Sequence, residues 1–133
     1  MLGLFKNKKN VFQAKILVVE DEPDLVSTIQ TRLQWSHFGV ITASNGQEGL
    51  ESAIENSPDL ILLDNNMPVM TGLEMLARLR ENTSTKDIPV IMVTAVADPE
   101  KIDNASKYGV ADYITKPFDF SDLTNKITSI LDK

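Results

Sequence analysis

Cysteine is absent from the 133-residue chain, and histidine occurs once, at His37. Without thiols there is no disulfide framework, no thiolate metal site and no thiol nucleophile. A single imidazole excludes a multi-histidine metal centre. Long hydrophobic runs are also lacking, and nothing approaches the roughly 20 apolar residues that a membrane-spanning helix needs. The opening Met1-Leu2-Gly3-Leu4-Phe5-Lys6 places apolar residues before its lysine, the reverse of a secretory signal. A cytoplasmic protein is the expectation. Positive charge is scarce: 13 Lys and Arg stand against 19 Asp and Glu, a formal net charge of −6. Because Lys6, Lys8, Lys9 and Lys15 cluster at one end with no acid among them, the body is more acidic still, which argues against a nucleic-acid-binding face. Residues 1–14 are expected to be a flexible extension, with membrane-surface or partner contact through Leu2, Leu4 and Phe5 as a minor reading. Residues 15–133 form one domain.

What is present is alternation. Ile16-Leu17-Val18-Val19, Leu60-Ile61-Leu62-Leu63 and Val90-Ile91-Met92-Val93 are apolar without a polar break, as in strands covered on both faces. Val40-Ile41 and Tyr113-Ile114 read as shorter edge strands. Between them, Leu25, Ile29 and Leu33, and later Leu123, Ile127, Ile130 and Leu131, recur at helical spacing. Three more helices fit residues 46–56, 72–82 and 98–108, with Pro23, Asn56-Ser57-Pro58, residues 83–86 and Gly109 as punctuation. Trp35 is expected to cover the end of the first helix, and Met67, Met70, Met75 and Met92 to be packing residues. His37 is assigned no role. Strands alternating with helices specify an α/β fold, a doubly wound five-stranded parallel sheet with five helices on two faces.

Ligands of such a sheet bind beyond the carboxyl ends of its strands. Those ends read Glu20-Asp21-Glu22-Pro23, Asp64-Asn65-Asn66-Met67-Pro68, Thr94-Ala95 and Thr115-Lys116-Pro117-Phe118. Carboxylates gathered at one place repel each other, so keeping them ionised calls for a cation, and an all-oxygen donor set favours Mg²⁺ or a similar ion. A lysine across the rim can pair with a carboxylate or with a phosphoryl oxygen. Together with the Thr94 hydroxyl these groups suit transfer of a phosphoryl group onto a carboxylate. Glu22 and Asp24 read as acids that complement a helix dipole.

With these motifs in register on successive strands, residues 15–133 resemble the receiver domain of two-component response regulators. The resemblance implies a flavodoxin-like strand order 2-1-3-4-5 and a cis bond at Lys116-Pro117. It implies Asp64 as the residue phosphorylated by a histidine kinase or histidine phosphotransfer protein, with Mg²⁺ (or Mn²⁺) as cofactor. Asp21, Asp64 and the Asn66 backbone carbonyl would bind the metal, and Glu20 would act through a water. Thr94 and Lys116 would hold the phosphoryl oxygens, and Tyr113 would be the aromatic switch. Phosphorylation would alter the surface of helix four, strand five and helix five and so control an unidentified downstream protein. The protein would be no enzyme beyond its own phosphorylation and dephosphorylation.

Competing readings are weaker. A Mg-dependent phosphatase of the haloacid-dehalogenase type needs an acid where Asn66 stands. A flavodoxin-like carrier needs a phosphate loop where Glu20-Asp21-Glu22 would repel one. A phosphorylation-independent interaction module would more often lack the acceptor or the lysine. With the chain closing after its fifth helix, a stand-alone domain is expected. The absence of arginine among Lys101, Lys107, Asp112 and Lys126 favours a monomer or weak dimer, and Asn66 and Val96 are expected to tune the lifetime of the phosphorylated state.

Overall fold

Apolar runs without a polar break become the middle of one sheet because both of their faces are covered. The computed structural model describes residues 14–95 and 104–132. Its strands are β1 (Lys15–Val19), β2 (Gly39–Ala43), β3 (Leu60–Asp64), β4 (Val90–Thr94) and β5 (Asp112–Thr115). Its helices are α1 (Pro23–Trp35), α2 (Gly46–Asn56), α3 (Gly72–Glu81) and α5 (Phe120–Leu131), with α4 helical over residues 104–106. The sheet is parallel throughout in the order β2-β1-β3-β4-β5, as expected from the resemblance, so β2 and β5 are indeed its edges. Residues 1–13 of the expected extension 1–14, Val96, Lys101 and the first part of the expected helix 98–108 lie outside the described residues.

Each central strand feeds two cores, since successive side chains point to opposite faces. Ile16, Val18, Leu60, Leu62, Ile91, Val93 and Ile114 pack with Ile29 and Leu33 of α1 and Leu123 and Ile127 of α5. Leu17, Val19, Ile61, Leu63, Val90 and Met92 pack with Ala53 of α2, with Met75, Leu76 and Leu79 of α3 and with Ala105 of α4. The four methionines named from the sequence are buried.

One local feature differs from expectation, and a second lies outside anything expected. Helix α1 is closed by backbone bonds, Phe38 N–H to the Leu33 carbonyl at 3.1 Å and His37 N–H to the Gln34 carbonyl at 3.0 Å, with His37 at φ 66°. This Schellman turn buries Phe38 beside Leu33, so Trp35 is not needed as a lid. Trp35 stands 71% exposed, with the Arg32 guanidinium 5.7 Å from its ring. Elsewhere, Arg80 of α3 donates to the carbonyls of Tyr108, Ile88 and Lys86 at 2.7, 2.9 and 3.0 Å. It thereby fastens α3 to the segments that lead into β4 and β5.

The β3–α3 loop is tightly fixed. Gly72 N–H donates to the Asn65 carbonyl at 3.2 Å, and a Cβ at Gly72 would lie 2.5 Å from the Asp64 carbonyl oxygen and 2.8 Å from Asn65 Cα. Both neighbours are backbone and cannot rotate away. Gly72→Ala is therefore expected to destabilise by about 2 kcal/mol or more, in the upper part of the overpacking range, as read by urea unfolding.

Candidate functional site

Strand parity decides which rim groups meet. Glu20 continues the series Ile16, Val18, and Asp64 the series Leu60, Leu62, so both carboxylates leave the sheet on the side of α1 and α5. Lys116 continues from Ile114 on that same side. Thr94, one step beyond Val93, and Tyr113, one step before Ile114, fall on the other side, where Tyr113 packs with the α2, α3 and α4 core.

The Lys116 ammonium lies 3.0 Å from Glu20 Oε1, 3.6 Å from Asp64 Oδ1 and 3.7 Å from Glu22 Oε1. Carboxylate oxygens of Glu20, Asp21 and Asp64 all lie within 4.8 Å of one another. Glu20 and Asp64 are buried, whereas Asp21 faces solvent. The amides of the turns complete the setting, with Glu22 N–H donating to Glu20 Oε2 and Asn66 N–H to Asp64 Oδ1, each at 3.2 Å. The peptide bond Lys116-Pro117 is cis, as expected.

Thr94 closes β4, and its carbonyl accepts the Lys116 backbone N–H at 2.6 Å. Tyr113 lies opposite Met92 in the ladder, and its hydroxyl is 2.9 Å from Ser106 Oγ of α4. At Asn66 the described contact to Asp64 is made by the amide rather than by the carbonyl. Glu22 is the rim residue that sequence reasoning placed in a lesser role, since it faces Lys116 as well as the start of α1. Its position three residues past β1 was the available signal. Nothing in the sequence pointed to Ser106 as the partner of Tyr113.

Electrostatically the site holds too much negative charge. Burial, joined by repulsion from Asp64, pushes the Glu20 carboxyl up to about 7 despite the hydrogen bond from Lys116. Burial likewise raises Asp64 against the pull of Lys116 and the Asn66 amide. Burial would lower Lys116, but the Glu20 hydrogen bond and the charges of Asp64, Glu20 and Glu22 outweigh it and hold the ammonium above its ordinary value. Three clustered carboxylates, all oxygen donors and short of counter-charge, fit a hard divalent cation.

Because the folded Glu20 holds its proton to higher pH than the unfolded chain does, its contribution to stability declines as pH rises from about 4.5 to about 7 and levels off above. In metal-free buffer, thermal unfolding across this window is expected to show a steeper decline for the wild type than for Glu20→Gln. Millimolar Mg²⁺ is expected to offset the wild-type loss at pH 8, since an ion bound by the folded state alone stabilises it.

The chain matches the family model "Response regulator receiver domain" over residues 16–128. Among curated proteins it is 40% identical over 117 residues to the response regulator ArlR of Staphylococcus saprophyticus, and 38% identical over 117 residues to ArlR of Staphylococcus aureus. Each alignment covers 88% of this chain and 52% of the relative, so the chain spans about half the length of these proteins. Among solved structures it is similar to the chemotaxis protein CheY4 of Vibrio cholerae, with TM-score 0.85, 33% identity and coverage of 89% of this chain and 98% of that one. It is also similar to the receiver domain of the Francisella response regulator 1452, with TM-score 0.83, 28% identity and coverage of 90% and 98%. The carboxylate rim, the lysine that faces it and a family match spanning almost the whole described fold agree: the chain belongs to the response regulator receiver domain family.

Proposed function

We propose that this receiver domain is a phosphorelay switch in which Asp64 accepts a phosphoryl group from a phosphohistidine on a histidine kinase or histidine phosphotransfer protein. The observation that carries this reading is the setting of Asp64. It is buried at the rim, 3.6 Å from the Lys116 ammonium and 3.2 Å from the Asn66 amide, within the cluster that includes Glu20 and Asp21. One Asp64 oxygen attacks phosphorus, an O–P bond forms as the P–N bond breaks, and the departing imidazole keeps the electron pair and takes up a proton. Attack of water on phosphorus later returns the carboxylate and inorganic phosphate.

Asp21, Asp64 and the Asn66 carbonyl would hold Mg²⁺ or Mn²⁺, with Glu20 acting through a water, and the ion supplies positive charge against the carboxylates and the incoming phosphate. Lys116 exchanges part of its pairing with Glu20 for the phosphoryl oxygens, and the Thr94 hydroxyl donates to the same group. A phosphoryl group carries about −1.5 to −2 charge, enough to draw both side chains and so to bias the far side of the sheet. There Tyr113 gives up Ser106 Oγ as it turns inward, altering the surface of α4, β5 and α5 that a downstream protein reads. Turnover is confined to the domain's own phosphorylation and dephosphorylation, in the cytoplasm. Among the described residues, no helix is long and apolar enough to cross a membrane.

On the output face, Lys126 pairs with Asp112 of its own chain at 3.1 Å, which supports a monomer or weak dimer. Light scattering before and after phosphorylation is expected to give a monomer mass, and a stable phosphorylation-dependent dimer would contradict this. For the acceptor itself, intact mass after incubation with Mg²⁺ and a small acyl phosphate is expected to show a phosphoryl adduct on the wild type. None should form on Asp64→Asn or in the presence of a chelator. Absence of the adduct from every sample would move the domain toward phosphorylation-independent partner binding.

A further inference from the structure

The outer face of α1 carries features that neither the core nor the chemistry of Asp64 uses. Asp24, Thr28, Thr31 and Trp35 recur at helical spacing, and all four are exposed, while Ile29 and Leu33 of the same helix are buried against the sheet. The foot of this face is aromatic. Trp35, the only tryptophan of the chain, is 71% exposed, with the Arg32 guanidinium 5.7 Å from its ring and 5.1 Å from that of Phe120. The head of the face is acidic, since Asp21, Glu22 and Asp24 are exposed around the start of α1. Between the two runs a trough lined by Ser27, Thr28, Thr31, Arg32 and Trp35. At Ser27 it meets a second hollow that reaches Asp21. Aromatic surface at one end is thus joined to carboxylates at the other.

We propose that residues 1–13 of this chain, which lie outside the described residues, are a strap seated along this face, with Phe12 on Trp35 and the lysines beside the carboxylates. The occupant follows from position, length and order. The Ala14 carbonyl accepts the Gly39 N–H at 2.9 Å, and Gly39 follows Trp35 through the Schellman turn, so the strap joins the sheet at the foot of α1. Along the axis, Asp24 lies about 17 Å from Trp35 at the rise of an α-helix, and the chain from Ala14 back to Lys9 reaches about 17 Å when extended. The stretch next to Ala14, Asn10-Val11-Phe12-Gln13, is uncharged, so it brings a ring to Trp35 and no ammonium to Arg32. Lys9, Lys8 and Lys6 come next, where the face turns acidic. Phe12 on Trp35 takes apolar surface of both rings out of water, and the lysines add an attraction that salt weakens. Seated there, the strap covers α1 and ends beside the acidic rim, so any protein that approaches this face has to displace it.

As the only tryptophan, Trp35 reports the contact directly. Acrylamide quenching of its fluorescence is compared in the full chain, in Phe12→Ser and in the triple variant Lys6→Gln, Lys8→Gln, Lys9→Gln. Both variants change residues outside the described fold, so the surroundings of Trp35 on α1 stay as they are. The wild type is expected to be quenched about threefold less than Phe12→Ser, as when the seated form is the main population, with its emission at shorter wavelength. The triple variant is expected to lose part of this protection, and about 0.5 M salt to remove a similar part from the wild type. Equal quenching of the wild type and Phe12→Ser would overturn the strap. Protection that rises with protein concentration would also overturn it, by placing the segment on a second copy. Protection that arises only with vesicles of anionic phospholipid would do the same, by assigning the segment to a lipid surface.

Discussion

One ammonium group facing several carboxylates is the constraint on which the rest of this domain depends. Burial at the end of a parallel sheet makes each negative charge expensive, and Lys116 reaches Glu20, Asp64 and Glu22 without neutralising them all. The raised Glu20 and Asp64 carboxyls record that deficit. A site balanced in this way responds strongly to added positive charge, to a proton or to a change in the charge of Asp64. A structural ion pair with matched partners would respond to none of them so readily.

Delivering these groups to one point is the work of the fold. Three strands end at the same rim because parallel crossovers send every chain direction the same way, and the two-residue period fixes the side from which each side chain emerges. Loops then set the height. Gly72 brings the start of α3 against the Asp64 carbonyl, while Asn66 and Glu22 turn their amides onto the two buried carboxylates. Glycine is required at position 72 by this close approach rather than by an unusual dihedral.

Much of this could be read from the sequence, for a physical reason. The runs at Ile16, Leu60 and Val90 are long enough and apolar enough to define central strands, and the rule that ligands gather beyond strand ends then selected Glu20, Asp21, Asp64 and Lys116 before any coordinate. Edge strand β2 was read too short because Thr42 and Ala43 carry little apolar signal, although they pair with Val18 and Val19. The misplacement of Trp35 has another cause. A Schellman turn satisfies the helix end with backbone bonds, and His37 at positive φ has no compositional mark such as glycine would have provided. Arg80 and Ser106 act through partners distant in sequence or set by helix rotation, which periodicity does not encode.

The parity of the strands has one more consequence. Glu20, Asp64 and Lys116 leave the sheet on one side, while Thr94 and Tyr113 leave it on the other. The sheet is thus a partition wall with the buried carboxylates in one room and the Tyr113 ring in the next. The side chains packed on its two faces are hydrocarbon, which has no polar groups to relay a rearrangement of hydrogen bonds through its thickness. On the proposed phosphorelay reading the message would pass over the lip, where the 2.6 Å bond from the Lys116 amide to the Thr94 carbonyl already joins β5 to β4.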